Sequence, residues 1–318
     1  MQLPALSKLF AKTSREAGWL AVCVYKNGIY LTRMQHVGGR PVVAVCAFHA
    51  VPEVGAAALE KICKESRLGG HQVTTLLAAG EYQLLMVDAP NVPPDELKTA
   101  IRWRIKDALS YHIDDATVDI LRIPKGKYGA ERPQSIYAVA APNAIIQKRI
   151  AMFESAGIPL SVIDIPEMVQ RNIAALFETE GRALVLLAFN EDGGLLTFTA
   201  DGELYLARRI DITVGQLQDA NEAMRQQYLD RAELEVQRSL DYFGRQQHHL
   251  PVSRLLLSIP EESELDQMLA ATLDLPVERL DLSQVMDLSA VPELERKDYT
   301  LLALHPLGAA LRQERRAS

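Results

Sequence analysis

One short run gathers oxygen donors and glycines: Asn190, Glu191 and Asp192, followed by Gly193 and Gly194. Oxygen ligands of this kind are what Mg²⁺ takes, and adjacent glycines let a backbone approach phosphate oxygens. The same residue types also form tight turns, because their side chains bond nearby backbone groups, and a turn is the default reading. Other ligand-type pairs are weaker. His248 and His249 close a long helical stretch, where neighbours point apart. Asp114 and Asp115 stand in a helix-to-strand turn with no further ligand near them. Cys23, Cys46 and Cys63 are an odd, sparse set, two of them inside apolar runs. They read as reduced core thiols, which suggests a cytoplasmic protein. No phosphate-binding Gly-x-x-x-x-Gly-Lys-Ser/Thr loop, Gly-x-Ser-x-Gly elbow or His-Glu-x-x-His pair occurs. The expectation is no catalytic residue and no metal site.

The elements that must carry these residues follow from hydrophobic periodicity. "LVLLAFNEDGGLLTFTADGELYLARRI", residues 184–210, reads as three strands joined by two tight turns. "GWLAVCVYKNGIYLTRMQHVGGRPVVAVCAF", residues 18–48, has the same layout. Its Asn27-Gly28 predicts a type I′ turn, which needs positive φ at both central residues. A helix over 54–66 and a strand over 73–77 follow. Residues 81–156 read β-α-β-β-α, with Leu97, Ile101, Ile105 and Leu109 recurring every four residues as one buried stripe. A strand at 160–165 and a helix at 168–177 close the first half. In the second half a long helix spans about 218–247, with a stripe at Leu229, Ala232, Val236, Leu240 and Phe243. Two strands, a helix between them and a final helix complete it.

The boundaries are therefore a leader at 1–16, a first domain at 17–180 with an insert at about 81–156, and a second domain at 181–318. The leader is weakly amphipathic and basic and reads as a frayed end. The formal charge of −7 excludes a general nucleic-acid binder, which needs a basic footprint. No apolar run approaches the roughly 20 residues that span a bilayer. Lys125, Lys127 and Arg132 read as a solvated hairpin tip, and so does the basic tail "RQERRAS".

Two halves that each open on a meander fit the actin-like fold, an α/β architecture of duplicated ribonuclease-H-like domains facing one another across a cleft. "PPDELKTAIRWRIKDALSYHIDDATVDI", residues 93–120, and "ELEVQRSLDYF", residues 233–243, resemble the type IV pilus assembly protein PilM and its relatives. The likeness is greatest to those of mannose-sensitive haemagglutinin (MSHA) pilus biogenesis, and it covers nearly the whole chain. It implies a cytoplasmic protein peripheral to the inner membrane, docked on a pilus assembly platform. The implied partner is a PilN-like single-pass membrane protein whose cytoplasmic tail binds between the first domain and its insert, by strand addition or side-chain pockets. Tyr82, Leu84, Trp103, Val118 and Ile120 are the partner-groove candidates. Arg102, Arg104 and Lys106 flank Trp103 as further contact residues, and homo-oligomerisation is compatible with the resemblance.

The same resemblance locates where nucleotide chemistry belongs. Actin-like ATPases place Asp-x-Gly at the first hairpin of each domain. Here those positions fall near Cys23 and Tyr25 in the first hairpin and on Leu187-Ala188-Phe189 in the second. The adenosine motif becomes "LSIPEESELD", without Gly-Gly and with Glu261, Glu262 and Glu264 repelling an anion. Weak or absent binding of ATP and Mg²⁺ is expected, with no cofactor. If nucleotide does bind, Asn27, Gly28, Asn190, Asp192 and Gly193 are the contacts. The rival readings are a divergent ATP-binding ATPase of the same pilus or of type II secretion machinery, and a small-molecule kinase of this fold. A related secretion-platform protein would continue into a transmembrane segment.

Overall fold

Alternating apolar residues seed two sheets that are topological copies of each other. The computed structural model describes residues 18–66, 71–124 and 134–313. The leader 1–16, the Lys125, Lys127 and Arg132 cluster and most of the basic tail lie outside the described residues. The first half runs β1 (Trp19–Tyr25), β2 (Gly28–Val37), β3 (Arg40–Ala50), α1 (Ala56–Glu65) and β4 (Gln72–Leu76). The insert follows as β5 (Gln83–Asp88), α2 (Leu97–Ile105), β6 (Ala116–Arg122), β7 (Ser135–Pro142) and α3 (Asn143–Ser155). The half closes with β8 (Leu160–Asp164) and α4 (Pro166–Ala174). The second half runs β9 (Ala183–Asn190), β10 (Gly193–Ala200), β11 (Glu203–Ile210), α5 (Val214–Leu217) and α6 (Glu222–Gln246). It ends with β12 (Val252–Ser258), α7 (Leu265–Thr272), β13 (Val277–Arg279) and α8 (Lys297–Ala310).

The strand orders are β3-β2-β1-β4-β8 and β11-β10-β9-β12-β13. In each, an antiparallel meander is extended by parallel strands on its first member. Two such ribonuclease-H-like sheets facing each other make the actin-like fold. The insert is a separate antiparallel sheet, β5-β7-β6.

The turns show which glycine is needed for what. Gly38-Gly39 and Asp201-Gly202 have positive φ at both central positions, as two-residue hairpin turns require. The first hairpin differs from its expectation. Its turn is Lys26-Asn27, neither residue has positive φ, and Gly28 already belongs to β2. Gly28 is needed for space instead: a Cβ there would run into the His49 carbonyl and lie 2.5 Å from the Phe48 ring.

Helices α4 and α8 fill the space between the two sheets. Their apolar residues, Val169 and Ile173 with Leu304 and Leu307, share one core with Ala21 and Cys23 from the first sheet and Leu184 and Leu186 from the second. The close approach depends on Gly308, whose missing Cβ leaves room for the Val169 carbonyl. Asn172 Nδ2 donates to the Gly308 carbonyl at 2.8 Å. Gln170, wholly buried, donates to the carbonyls of Leu186 and Leu195, both at 2.9 Å. The last helix thus packs back against the first sheet. It also caps the β3 edge, where the Tyr299 hydroxyl donates to the Cys46 carbonyl at 3.0 Å. The long helix starts at Glu222 rather than 218, because Asn221 caps it by accepting from the Ala223 and Met224 amides.

Candidate functional site

The turn of the second hairpin, the end of the first hairpin's leading strand and the loop after β4 converge on one small cleft between the lobes. It is lined by Tyr25, Leu76 to Ala79, Pro166, Asn190, Asp192, Gly193, Arg209 and His305, among others. The space open to the centre of a water molecule is about 30 Å³, room for one or two waters and far below the several hundred Å³ of a typical small-molecule pocket.

Tyr25 contributes its ring to this lining. Burial, aided by Cys23, Tyr30 and Asp192, pushes the Tyr25 phenol well above its ordinary pKa. Its ring meets Tyr30 edge-on with centroids 5.9 Å apart. The Phe48 ring covers Gly28. On the other lobe the Phe189 ring, in the core shared with α5 and α6, covers Gly194, where a Cβ would come within 2.7 Å of it. Cys23 and Leu187 are fully buried apolar residues. Asn190 Oδ1 accepts from the Asp192 amide at 2.8 Å, the local hydrogen bond of a turn former. Of the five nucleotide candidates, Asn190, Asp192 and Gly193 line the cleft. Asn27 and Gly28 do not; Asn27 is an exposed turn residue whose carbonyl accepts from Val51. Among the described residues no group of three or more His, Cys, Asp or Glu side chains is placed to hold a metal.

Behind the cleft lies a polar cluster that no sequence pattern marks. Tyr82 donates its hydroxyl proton to Glu167, and Arg209 donates to both the Tyr82 oxygen and Glu167, the latter at 3.0 Å. Tyr82 precedes the insert's first strand, Glu167 opens α4 of the first lobe, and Arg209 sits on β11 of the second. The cluster therefore joins three parts of the chain. Glu167 is only 1% exposed. Burial and then the Glu167 charge push the Tyr82 phenol up. Burial opposes the Arg209 charge, but Glu167 and Tyr82 outweigh it and hold the guanidinium above its ordinary value. His305 is pulled down to about 4 by burial and by Arg209, and its Nε2 is buried without a partner.

The five partner candidates do not share one surface. Tyr82 is 8% exposed and committed to the cluster, so it presents no side chain to a partner. Val118 is 2% exposed, packed beneath Ile101 and Ile105 of α2. Ile120 lies two residues along on the same face, partly buried. Leu84 is on the opposite face of the insert sheet, packed toward Tyr82, Ala141 and Ile165. The alternation of strand side chains dictates this split, and the register pairs Leu85, not Leu84, with Ala138 beside Ile120. Trp103 stands on the outer side of α2 and is 65% exposed. In this conformation Tyr82 and Val118 are buried and present no side chain at the surface.

No family model matches the sequence, and no curated protein matches it. Solved structures do. The chain is similar to one in a PilM-PilN type IV pilus biogenesis complex, over 92% of this chain and 98% of that one, at 16% identity and a TM-score of 0.66. It is also similar to the cytoplasmic domain of EpsL, an inner membrane component of the type II secretion system of Vibrio cholerae. That match covers 93% and 96% of the two chains, at 15% identity and a TM-score of 0.53. At these identities what is shared is the fold. No helix among the described residues is long and apolar enough to cross a membrane.

Proposed function

We propose that this chain is a non-catalytic actin-like scaffold of a type IV pilus inner-membrane assembly platform. It works in the cytoplasm and binds the cytoplasmic tail of a PilN-like membrane protein at its insert, which makes it peripheral to the inner membrane. The observation that carries this reading is the end-to-end structural likeness to a chain of the PilM-PilN complex. The two quoted stretches resemble PilM and its relatives, and the reading extends to MshI, the PilM-like protein of MSHA pilus biogenesis. The filled cleft argues against catalysis. Mg²⁺ and a triphosphate need oxygen ligands and open volume, and the cleft leaves about 30 Å³ beside Tyr25.

For the tail, the insert offers open strand edges. The Ala89 amide bonds to Gln134, and Arg104 caps the Asp88 carbonyl at 2.7 Å from outside the sheet. Antiparallel alternation then turns the backbone groups of Leu84 and Met86 away from β7. An extended tail can pair with such an edge, with Leu84 as a side-chain contact; on the β6 edge Ile120 plays the corresponding part. The test is calorimetric titration of the full chain with a synthetic tail peptide of the PilN-like partner, and separately with Mg-ATP. Saturable peptide binding without low-micromolar Mg-ATP binding is expected. Tight Mg-ATP binding with no peptide binding refutes the scaffold reading. It would favour a divergent ATPase that uses Asn190 and Asp192, the two polar hairpin residues that do face the cleft.

A further inference from the structure

Trp103 is the residue that the tail-docking reading leaves without a role. It sits on the face of α2 directly opposite Ile101 and Ile105, which are fully buried against the insert sheet. The other face of that sheet packs on α3, β8, α4 and β11. Helix α2 is therefore an outermost layer of the molecule, and the indole projects into solvent, with Thr99 and Ala100 one turn back along the helix.

The charges around it are fixed in place. Arg102 donates to the Ala116 and Ile113 carbonyls at 2.8 and 2.7 Å, and Arg104 donates to the Asp88 carbonyl at 2.7 Å. The two guanidinia are thus held on either flank of the helix by backbone carbonyls, and Arg102 also faces one exposed carboxylate. The nearest carboxylate to either is Asp114, 3.9 Å from Arg102 and itself largely in solvent. Lys106 lies 5.7 Å over the indole ring. Within four residues on either side of Trp103, three cations face one acid, Asp107. The insert as a whole holds ten acidic and ten basic residues, so the formal charge of −7 comes entirely from the rest of the chain.

We propose that the Trp103 face of α2 is an interfacial contact for an anionic lipid bilayer. Tryptophan settles at the headgroup level of a bilayer, where its ring meets acyl chains and its N–H meets water. Lys and Arg beside it gain from the negative surface potential. A peptide adding to a sheet needs an open strand edge, and this exposed helix face, on the side away from the insert sheet, has none, whereas a fluid bilayer surface conforms to a projecting side chain. The contact would set the insert flat on the membrane, with its strand edges open to the side. It goes beyond the tail-docking reading and does not depend on it, because the vesicle titration contains no partner.

The chain has two tryptophans, and Trp19 is 7% exposed in the first-lobe core. Trp103 is therefore a built-in reporter. Full-length protein is titrated with unilamellar vesicles containing phosphatidylglycerol, and with phosphatidylcholine vesicles, while tryptophan emission and vesicle flotation are both followed. The expected result is a blue shift with the anionic vesicles only, reversed at about 0.5 M salt and absent in Trp103→Phe. Lys106→Gln should weaken partitioning roughly fivefold. Flotation without an emission shift assigns membrane binding to another segment, such as the basic residues before Gly18, and overturns the proposal. So does an equal shift with neutral vesicles. A shift on adding the tail peptide but not vesicles overturns it too and returns Trp103 to a protein-docking surface.

Discussion

Replacing Arg209 by Met tests whether the cluster behind the cleft holds the two lobes together. The substitution keeps most of the side-chain volume and removes the charge. It leaves Glu167, 1% exposed, without its cation. Stripping one partner from a buried ion pair costs about 3–5 kcal/mol. Here the lower end applies, about 3 kcal/mol, because the Arg209 side chain is itself 42% exposed and Tyr82 still donates to Glu167. Glu167→Gln should cost less, about 1–2 kcal/mol, since the freed guanidinium can reach water while Gln keeps an acceptor for Tyr82. The double variant should cost less than the sum of the two, with a coupling energy of roughly 1–2 kcal/mol. The assay is urea unfolding at neutral pH followed by far-ultraviolet circular dichroism, with comparison restricted to variants whose denaturant slope is unchanged. Additive costs in the double variant, or a loss below about 1 kcal/mol for Arg209→Met, would refute the assignment of this cluster as a buried electrostatic tie.

Two further outcomes follow from the packing. His305 has a folded-state pKa near 4 against an ordinary 6.5; below 6.5 the unfolded chain binds the proton first. Its contribution is thus complete above about pH 6.5 and lost as pH falls toward 4, up to about 3 kcal/mol in all. Stability curves of His305→Gln should be correspondingly flatter across that window, and an unchanged slope would place the acid sensitivity elsewhere. Gly194→Ala should cost about 1–3 kcal/mol by overpacking, because the new methyl meets the Phe189 ring and Ile210. Combining it with Phe189→Leu should recover part of that loss in thermal unfolding, and no recovery would mean that the ring is not what the new methyl meets.

Much of the architecture was legible locally. A strand alternates its side chains and a tight turn needs residues that accept positive φ, so Gly38-Gly39 and Asp201-Gly202 announced two hairpins. The stripe at Leu229, Ala232, Val236 and Phe243 announced the long helix, because periodicity is a property of consecutive residues. That Cys23, Tyr25 and Leu187 offer no carboxylate for Mg²⁺ at those positions was readable from the sequence as well.

Packing decided the rest. Asn27-Gly28 looked like a φ-driven turn, yet Gly28 is needed because Phe48, twenty residues away, lies over it. The five partner candidates came from one segment, and the insert's two-layer packing sent them to different faces. Tyr82, Glu167 and Arg209 carry no shared motif, because the contacts that join them form only when the insert and both lobes close on one another. A sequence states which residues can bury, turn or ionise. Which of them meet is set by long-range burial that no window of neighbouring residues contains.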